Sequence, residues 1–200
     1  MKRTQRFRRH SRMLAAWLLA CAWPLAAAAQ AVNGQARAAQ ATVSGLTGTT
    51  TTALGDAGTL SGANDARHAS QLTGSIPSIV GGEALHATTI AGSDEVDSES
   101  SIAGVTVSAG GNTITASFVM ARATSIRGVD SGNATISGLS INGVPIPVAD
   151  SANQRLAIPG GSVVINEQQN SAAGLVVNGL HVVVTGVADI VVASAAASVR

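Results

Sequence analysis

The run Ser-Val-Val-Ile-Asn-Glu-Gln-Gln-Asn (162 to 170) is followed by Ala-Gly-Leu-Val-Val-Asn-Gly-Leu-His-Val-Val-Val-Thr-Gly (173 to 186) and Ala-Asp-Ile-Val-Val-Ala-Ser-Ala (188 to 195), and these three segments decide how the chain folds. β-Branched runs bounded by Gly, Asn or Ser are the signature of neighbouring strands joined by tight turns. Each run also carries polar groups on an otherwise apolar stretch: Asn166, Glu167, Asn178, His181 and Asp189.

Upstream of them the same signals predict strands at about 83–91, 96–109, 113–125, 133–142, 144–149 and 154–158. Gly110-Gly111-Asn112 is a hairpin signal, because these residues accept the positive φ of primed turns. Pro145 and Pro147 cannot donate to a ladder, which puts their segment at a sheet edge or in a connection. Residues 42–75 are rich in Thr, Ser, Gly and Ala, and are expected to stay loose or form edge strands, with Asn64 to His68 as a loop. Residues 30–41 read as a lead-in segment or a first edge strand. No 3.6-residue apolar period with helix caps persists after residue 30, so the body is expected to be all-β. Runs such as Val182-Val183-Val184 suit a two-layer antiparallel β-sandwich spanning residues 42–198 as a single domain. A β-solenoid-like coil competes with it, but no fixed repeat of ~20 residues is present.

The first 29 residues read as a signal peptide, and so as a helix preceding the fold. Lys2, Arg3, Arg6, Arg8, Arg9 and Arg12 form a basic region, Met13 to Leu25 is apolar, and Ala27-Ala28-Ala29 supplies small residues for cleavage. Arg8-Arg9 lacks the hydrophobic residue that should follow a twin-arginine signal. Leu18-Leu19-Ala20-Cys21 has the outline of a lipobox, so a lipoprotein anchored through Cys21 is the minor alternative. Without the leader, six arginines face eleven acids, a net charge of −5, and no lysine is left. Such a field does not draw a protein to phosphate backbones, and no nucleic-acid partner is expected. Both tryptophans and the only cysteine also lie in the leader, which leaves Phe118 as the body's one Phe, Tyr or Trp. Aromatic stacking platforms and disulfides are thereby closed to it, and stability must come from aliphatic burial.

Three strings in order, Val164 to Gln168, Val177 to Val182 and Ala188 to Ser194, resemble the choice-of-anchor P family of bacterial surface proteins. Ala121 to Ser125 and Ile136 to Gly143 look like that family's middle strands, and the similarity covers about residues 36–198. The resemblance implies an extracellular domain of unknown biochemical role. No L-P-x-T-G or Pro-Glu-Pro tail follows the domain, so attachment is expected to come from the N-terminus or from a partner.

Among candidate sites, Asp94, Glu95, Asp97 and Glu99 are the densest charge cluster and the weak candidates for Ca²⁺. Period-2 alternation sends Val96, Ser98, Ser100 and Ile102 inward and Asp97, Glu99 and Ser101 to water, which is the plainer reading. Glu83 and His86 have the spacing of a metal pair on a helix, but on a strand they point to opposite faces. His68, in a loop with Asp65 and Arg67, is expected to be simply exposed. Asn133-Ala134-Thr135 is a sequon whose use a bacterial-type leader argues against. Glu167, His181 and Asp189 lie on neighbouring strands and are expected to join Asn166, Asn178 and Arg122 in a structural polar network, each burial being paired. No Gly-x-Ser-x-Gly elbow is present, and a Ser-x-x-Lys motif cannot form in a lysine-free body. The expectation is therefore a secreted or cell-envelope structural or adhesive domain, periplasmic or at the cell surface, with no enzyme activity, no cofactor and no transmembrane span after cleavage. Self-association, or pairing with another envelope protein, through an edge strand is the partner expected. An envelope ligand- or Ca²⁺-binding protein using residues 94–99 is the alternative.

Overall fold

The computed structural model describes residues 31–46 and 48–200. The leader of residues 1–29, its expected helix and the Cys21 anchor all lie outside them. Among the described residues there is no helix; thirteen strands form two antiparallel sheets packed as a sandwich. Sheet A has the order β10(Gln154–Ile158), β11(Gly161–Ser171), β12(Gly174–Val184), β13(Ala188–Val199), β1(Val32–Gly45), β2(Gly48–Thr59). Sheet B has the order β3(Ala66–Ile76), β4(Val80–Ala91), β5(Glu95–Ala109), β6(Asn112–Ile126), β8(Ser140–Ile141), β9(Val144–Pro145), with β7(Val129–Ser137) also on β6.

The core between the layers is aliphatic. Val96, Ile102, Val107, Ile114 and Val119 of sheet B meet Val163, Ile165, Val177, Leu180, Val182, Ile190 and Val192 of sheet A, all at 0% exposure. Full burial of side chains of this size contributes about 1.5–3 kcal/mol each. Phe118 lies outside the core, half-exposed on the outer row Ala103–Phe118–Ser137. The Gly110-Gly111 turn joins β5 to β6 as its sequence predicts, with φ of 55° and 80°.

Several expectations about individual segments are corrected. Residues 32–41 are no lead-in: they begin β1, an interior strand held between β13 and β2. Their alanines hide the role, since Ala has little β-propensity. Yet Ala36, Ala38, Ala39 and Ala41 are at most 1% exposed, because this is where the layers approach closely. A Cβ added at Gly34 would lie 2.4 Å from the Thr89 hydroxyl and 2.8 Å from Val96. The loop expected at Asn64 to His68 ends at Asp65, so that Ala66, Arg67 and His68 belong to β3. Residues 42–75 do supply the edge strands, β2 on sheet A and β3 on sheet B, which pack alongside one another. The strand expected over 133–142 is broken at Gly138 (φ 63°), after which β8 continues along β6, and only Val144–Pro145 of the proline segment pairs.

A line of backbone irregularities crosses sheet A. Pairing runs Ile165–Leu180–Val192–Ala39–Leu54 on one side and Glu167–Asn178–Ser194–Arg37–Asp56 on the other. One residue per strand is skipped between those rows: Asn166, Gly179, Ala193, Ala38 and Gly55. Asn166 (φ 49°), Ala193 (φ 53°) and Gly55 (φ 54°) are left-handed. The pleat therefore changes phase. In β12 the buried hydrophobic side chains are Leu175 and Val177 before the line and Leu180, Val182 and Val184 after it. Two outward-facing rows consequently flank the crease, close enough for their side chains to meet.

Candidate functional site

His181, in the outward row beyond the crease, reaches across it. Its Nδ1 lies 2.9 Å from Glu167 Oε2 on β11, and its Nε2 lies 3.0 Å from Asp189 Oδ1 on β13. A neutral imidazole carries one N–H and cannot donate toward both carboxylates; the imidazolium can. The Nδ1 approach to Glu167 is short but is not aimed along its N–H, so it acts through charge more than direction. Burial, the largest single influence, opposes ionisation of His181. The Glu167 contact and charge, with the charge of Asp189, outweigh it and raise the imidazole above its ordinary value. For Glu167 burial is again the largest influence and pushes upward, but the His181 contact and the hydrogen bond from Asn178 hold the carboxyl below its usual range.

The row continues from there. Asn178 Nδ2 donates to Glu167 Oε2 at 2.7 Å, and Ser194 Oγ donates to Asn178 Oδ1 at 2.8 Å. The Ser194 carbonyl accepts from Ser100 Oγ of sheet B at 3.0 Å, which ties the row into the interior. On β1, Arg37 donates to Gln40 across the crease, and its Nε stands 3.5 Å from Asp56 Oδ2 on β2. The result is a belt of alternating sign over the outer face of sheet A: Asp189, His181, Glu167, then Asn178 and Ser194, then Arg37 and Asp56.

Two residues expected in this network stand apart from it. Arg122 lies on the outer face of sheet B, where its Nε donates to Asp97 Oδ1 at 3.1 Å, because β6 belongs to the opposite layer. Asn166, one of the skipped residues, accepts at Oδ1 from Gln168 Nε2 at 3.0 Å. The same Gln168 amide donates to the Gly132 carbonyl at 3.0 Å and so bolts β11 to β7. Arg37, Gln40, Asp56 and Ser194 escaped the sequence reading. Arg37 and Gln40 sit in the alanine-rich stretch taken as a lead-in, and nothing local marks a register skip.

Residues 94–99 alternate as period 2 requires. Val96, Ser98 and Ser100 are fully buried, and Asp97 and Glu99 face out. Asp97 is engaged by Arg122 and by Thr124 Oγ1 at 3.3 Å. Asp94, in the preceding turn, is held by Arg127 at 2.8 Å, whose hydrogen bond keeps it below the usual carboxylate range. Among the described residues, no group of three or more His, Cys, Asp or Glu is placed to hold one metal ion. Glu83 and His86 are not ion-paired; His86 Nδ1 instead meets Ser70 Oγ at 3.0 Å on the exposed β3–β4 ladder. A serine–histidine contact is there, but no carboxylate orients the ring's other nitrogen among the described residues. Asn133 and Thr135 are exposed on β7.

At the end of the sandwich where β1 turns into β2 lie three shallow depressions of about 310–330 Å³. Small residues of the turns line them, among them Ser78, Ser108, Gly110, Gly111 and Gly186. One reaches Asp189; none reaches His181 or Glu167. Asn112, 2% exposed, stiffens this end by donating to the Pro159 carbonyl at 2.9 Å and accepting from Asn142 Nδ2 at 3.2 Å. No family model, no curated protein and no solved structure matches this chain.

Proposed function

We propose that this chain is a domain of an exported, cell-envelope protein with a structural or adhesive role, and that it turns over no substrate. The observation that carries this reading is the belt on sheet A. Glu167, Asn178, His181 and Asp189 direct their polar atoms at one another along the face of a sheet, where a catalytic base would be aimed at a substrate in a cleft. The leader-like first 29 residues, the acidic lysine-free body and the likeness to the choice-of-anchor P family support export and a surface role. A sandwich whose strands run 11–15 residues through most of both sheets supplies a stiff spacer.

Two measurements test the proposal. Fractionation of bacteria expressing the full chain is expected to recover it, shortened, from the envelope or the medium; a full-length product in the cytoplasm would sink it. A calcium titration followed by melting temperature is expected to show no rise at millimolar ion, since a ligand bound only by the folded state stabilises by mass action. A rise abolished by Asp97→Ala with Glu99→Ala would favour the ion-binding alternative.

A further inference from the structure

Residues 31–200 hold no cysteine and no lysine, so neither a disulfide nor a lysine-derived amide can staple these sheets. Hydroxyls and side-chain amides are plentiful, and one pair of them is set apart. Among the described residues, Ser194 is the one hydroxyl that donates to a side-chain amide oxygen, its Oγ lying 2.8 Å from Asn178 Oδ1. The two residues are directly opposite on β12 and β13. An ester between them would leave Cγ and Oγ between the two β-carbons, as many atoms as a disulfide interposes at a Cβ separation of about 3.5–4.5 Å. Directly opposite β-carbons of an antiparallel pair stand about 4.5–5.5 Å apart, so a small closure suffices.

The surroundings suit that reaction. Asn178 is 6% exposed and Glu167 9%, so little water competes with the hydroxyl for the amide carbon. Asn178 Nδ2, the group that would leave, donates to Glu167 Oε2 at 2.7 Å. The same oxygen lies 2.9 Å from His181 Nδ1, and Asp189 holds the ring's other nitrogen at 3.0 Å. An imidazolium therefore stands one carboxylate away from the leaving nitrogen. We propose that Ser194 Oγ attacks Asn178 Cγ and forms an intramolecular ester that joins β12 to β13 and releases ammonia. The inference rests on the structural reading above, to which it adds a single, self-limiting reaction within the chain. The Oγ–Cγ bond forms and the Cγ–Nδ2 bond breaks. The hydroxyl proton passes to Oδ1 along the existing hydrogen bond, His181 delivers a proton to Nδ2 through Glu167, and the Oδ1 proton returns to the Glu167–His181 pair as the carbonyl re-forms. Nothing is oxidised or reduced, and no co-reactant is needed. The link constrains the unfolded chain as a disulfide would.

Mass spectrometry of the full chain, denatured and cut before aspartate, tests the bond. The peptide beginning at Asp150 and the one beginning at Asp189 are expected as one joined species, lighter by one ammonia than the two together. Mild alkali should separate them and leave aspartate at position 178. Ser194→Ala should give the two peptides apart at full mass, with the sheet signal in circular dichroism retained and the melting temperature below that of the linked parent. Glu167→Gln keeps the outline of the side chain without the proton carrier and should form the link at least about a hundredfold more slowly. Separate peptides at full mass from the parent, after prolonged incubation at neutral pH, overturn the ester. So does an ammonia loss that persists in Ser194→Ala, because it marks closure of Asn178 onto the Gly179 nitrogen instead. Either result leaves the export and calcium tests of the non-catalytic reading untouched.

Discussion

The outer faces of the two sheets carry similar chemistry in different surroundings. On sheet B, Asp97 and Arg122 meet as cross-strand neighbours with side chains 33% and 48% exposed. On sheet A the crease folds two outward rows toward each other, and Glu167 and His181 meet at 12% and 18% side-chain exposure. Water screens the first pair and largely leaves the second, so the same kind of contact is worth little in one place and is demanding in the other. The difference lies in the backbone: the row of skipped residues in sheet A runs between Glu167 and His181, whereas the skip in sheet B, at Gly104 and Ser117, lies away from Asp97 and Arg122.

The sharpest way to break that contrast is to remove the crease. Gly179→Val would place Cβ 2.4 Å from Val119 Cγ1 and 3.0 Å from the Val192 carbonyl. Overpacking against a backbone atom should cost about 3 kcal/mol or more in urea denaturation, with the belt disrupted as well. Next in size is Glu167→Ala. It leaves His181 and Asn178 without their shared acceptor and should cost about 2–3 kcal/mol, while Asp97→Ala on sheet B should cost less than about 1 kcal/mol. Equal losses at the two sites would refute the contrast.

A smaller effect appears in the pH dependence. His181 is raised in the folded chain, so its contribution is complete below its unfolded value of 6.5 and is lost as pH rises through the folded one. Glu167 is lowered, so its contribution is complete above 4.5 and is lost as pH falls through its folded value. The stability difference between the parent and His181→Gln should therefore be greatest between pH 4.5 and 6.5 and shrink on either side, with other carboxylates cancelling in the difference. An NMR titration of His181 at or below 6.5 would refute it.

Much of this arrangement could be read before any coordinates. Val96, Ser98, Ser100 and Ile102 alternate with Asp97, Glu99 and Ser101, and the alternation alone told which face each would take. Glu167, Asn178, His181 and Asp189 stood out as polar groups within β-branched runs, and they do converge. Arg122 was misassigned because partnership between sheets depends on which strands share a layer, and a list of runs does not state that order. Ala193 at φ 53° left no trace, since alanine carries no preference for that conformation and is held there by its neighbours.

The sequence by itself determined that the chain from about residue 83 onward is built of strands, where most of their turns fall, and that the core is aliphatic, because period-2 burial and turn chemistry are local properties of the chain. Only the tertiary structure decided that Val32 to Gly45 lies inside a sheet, that a crease gathers His181 with its two carboxylates, and that Ser194 meets Asn178 beside them. Those outcomes depend on which strands become neighbours and in what register, which is set by packing between residues far apart in the chain.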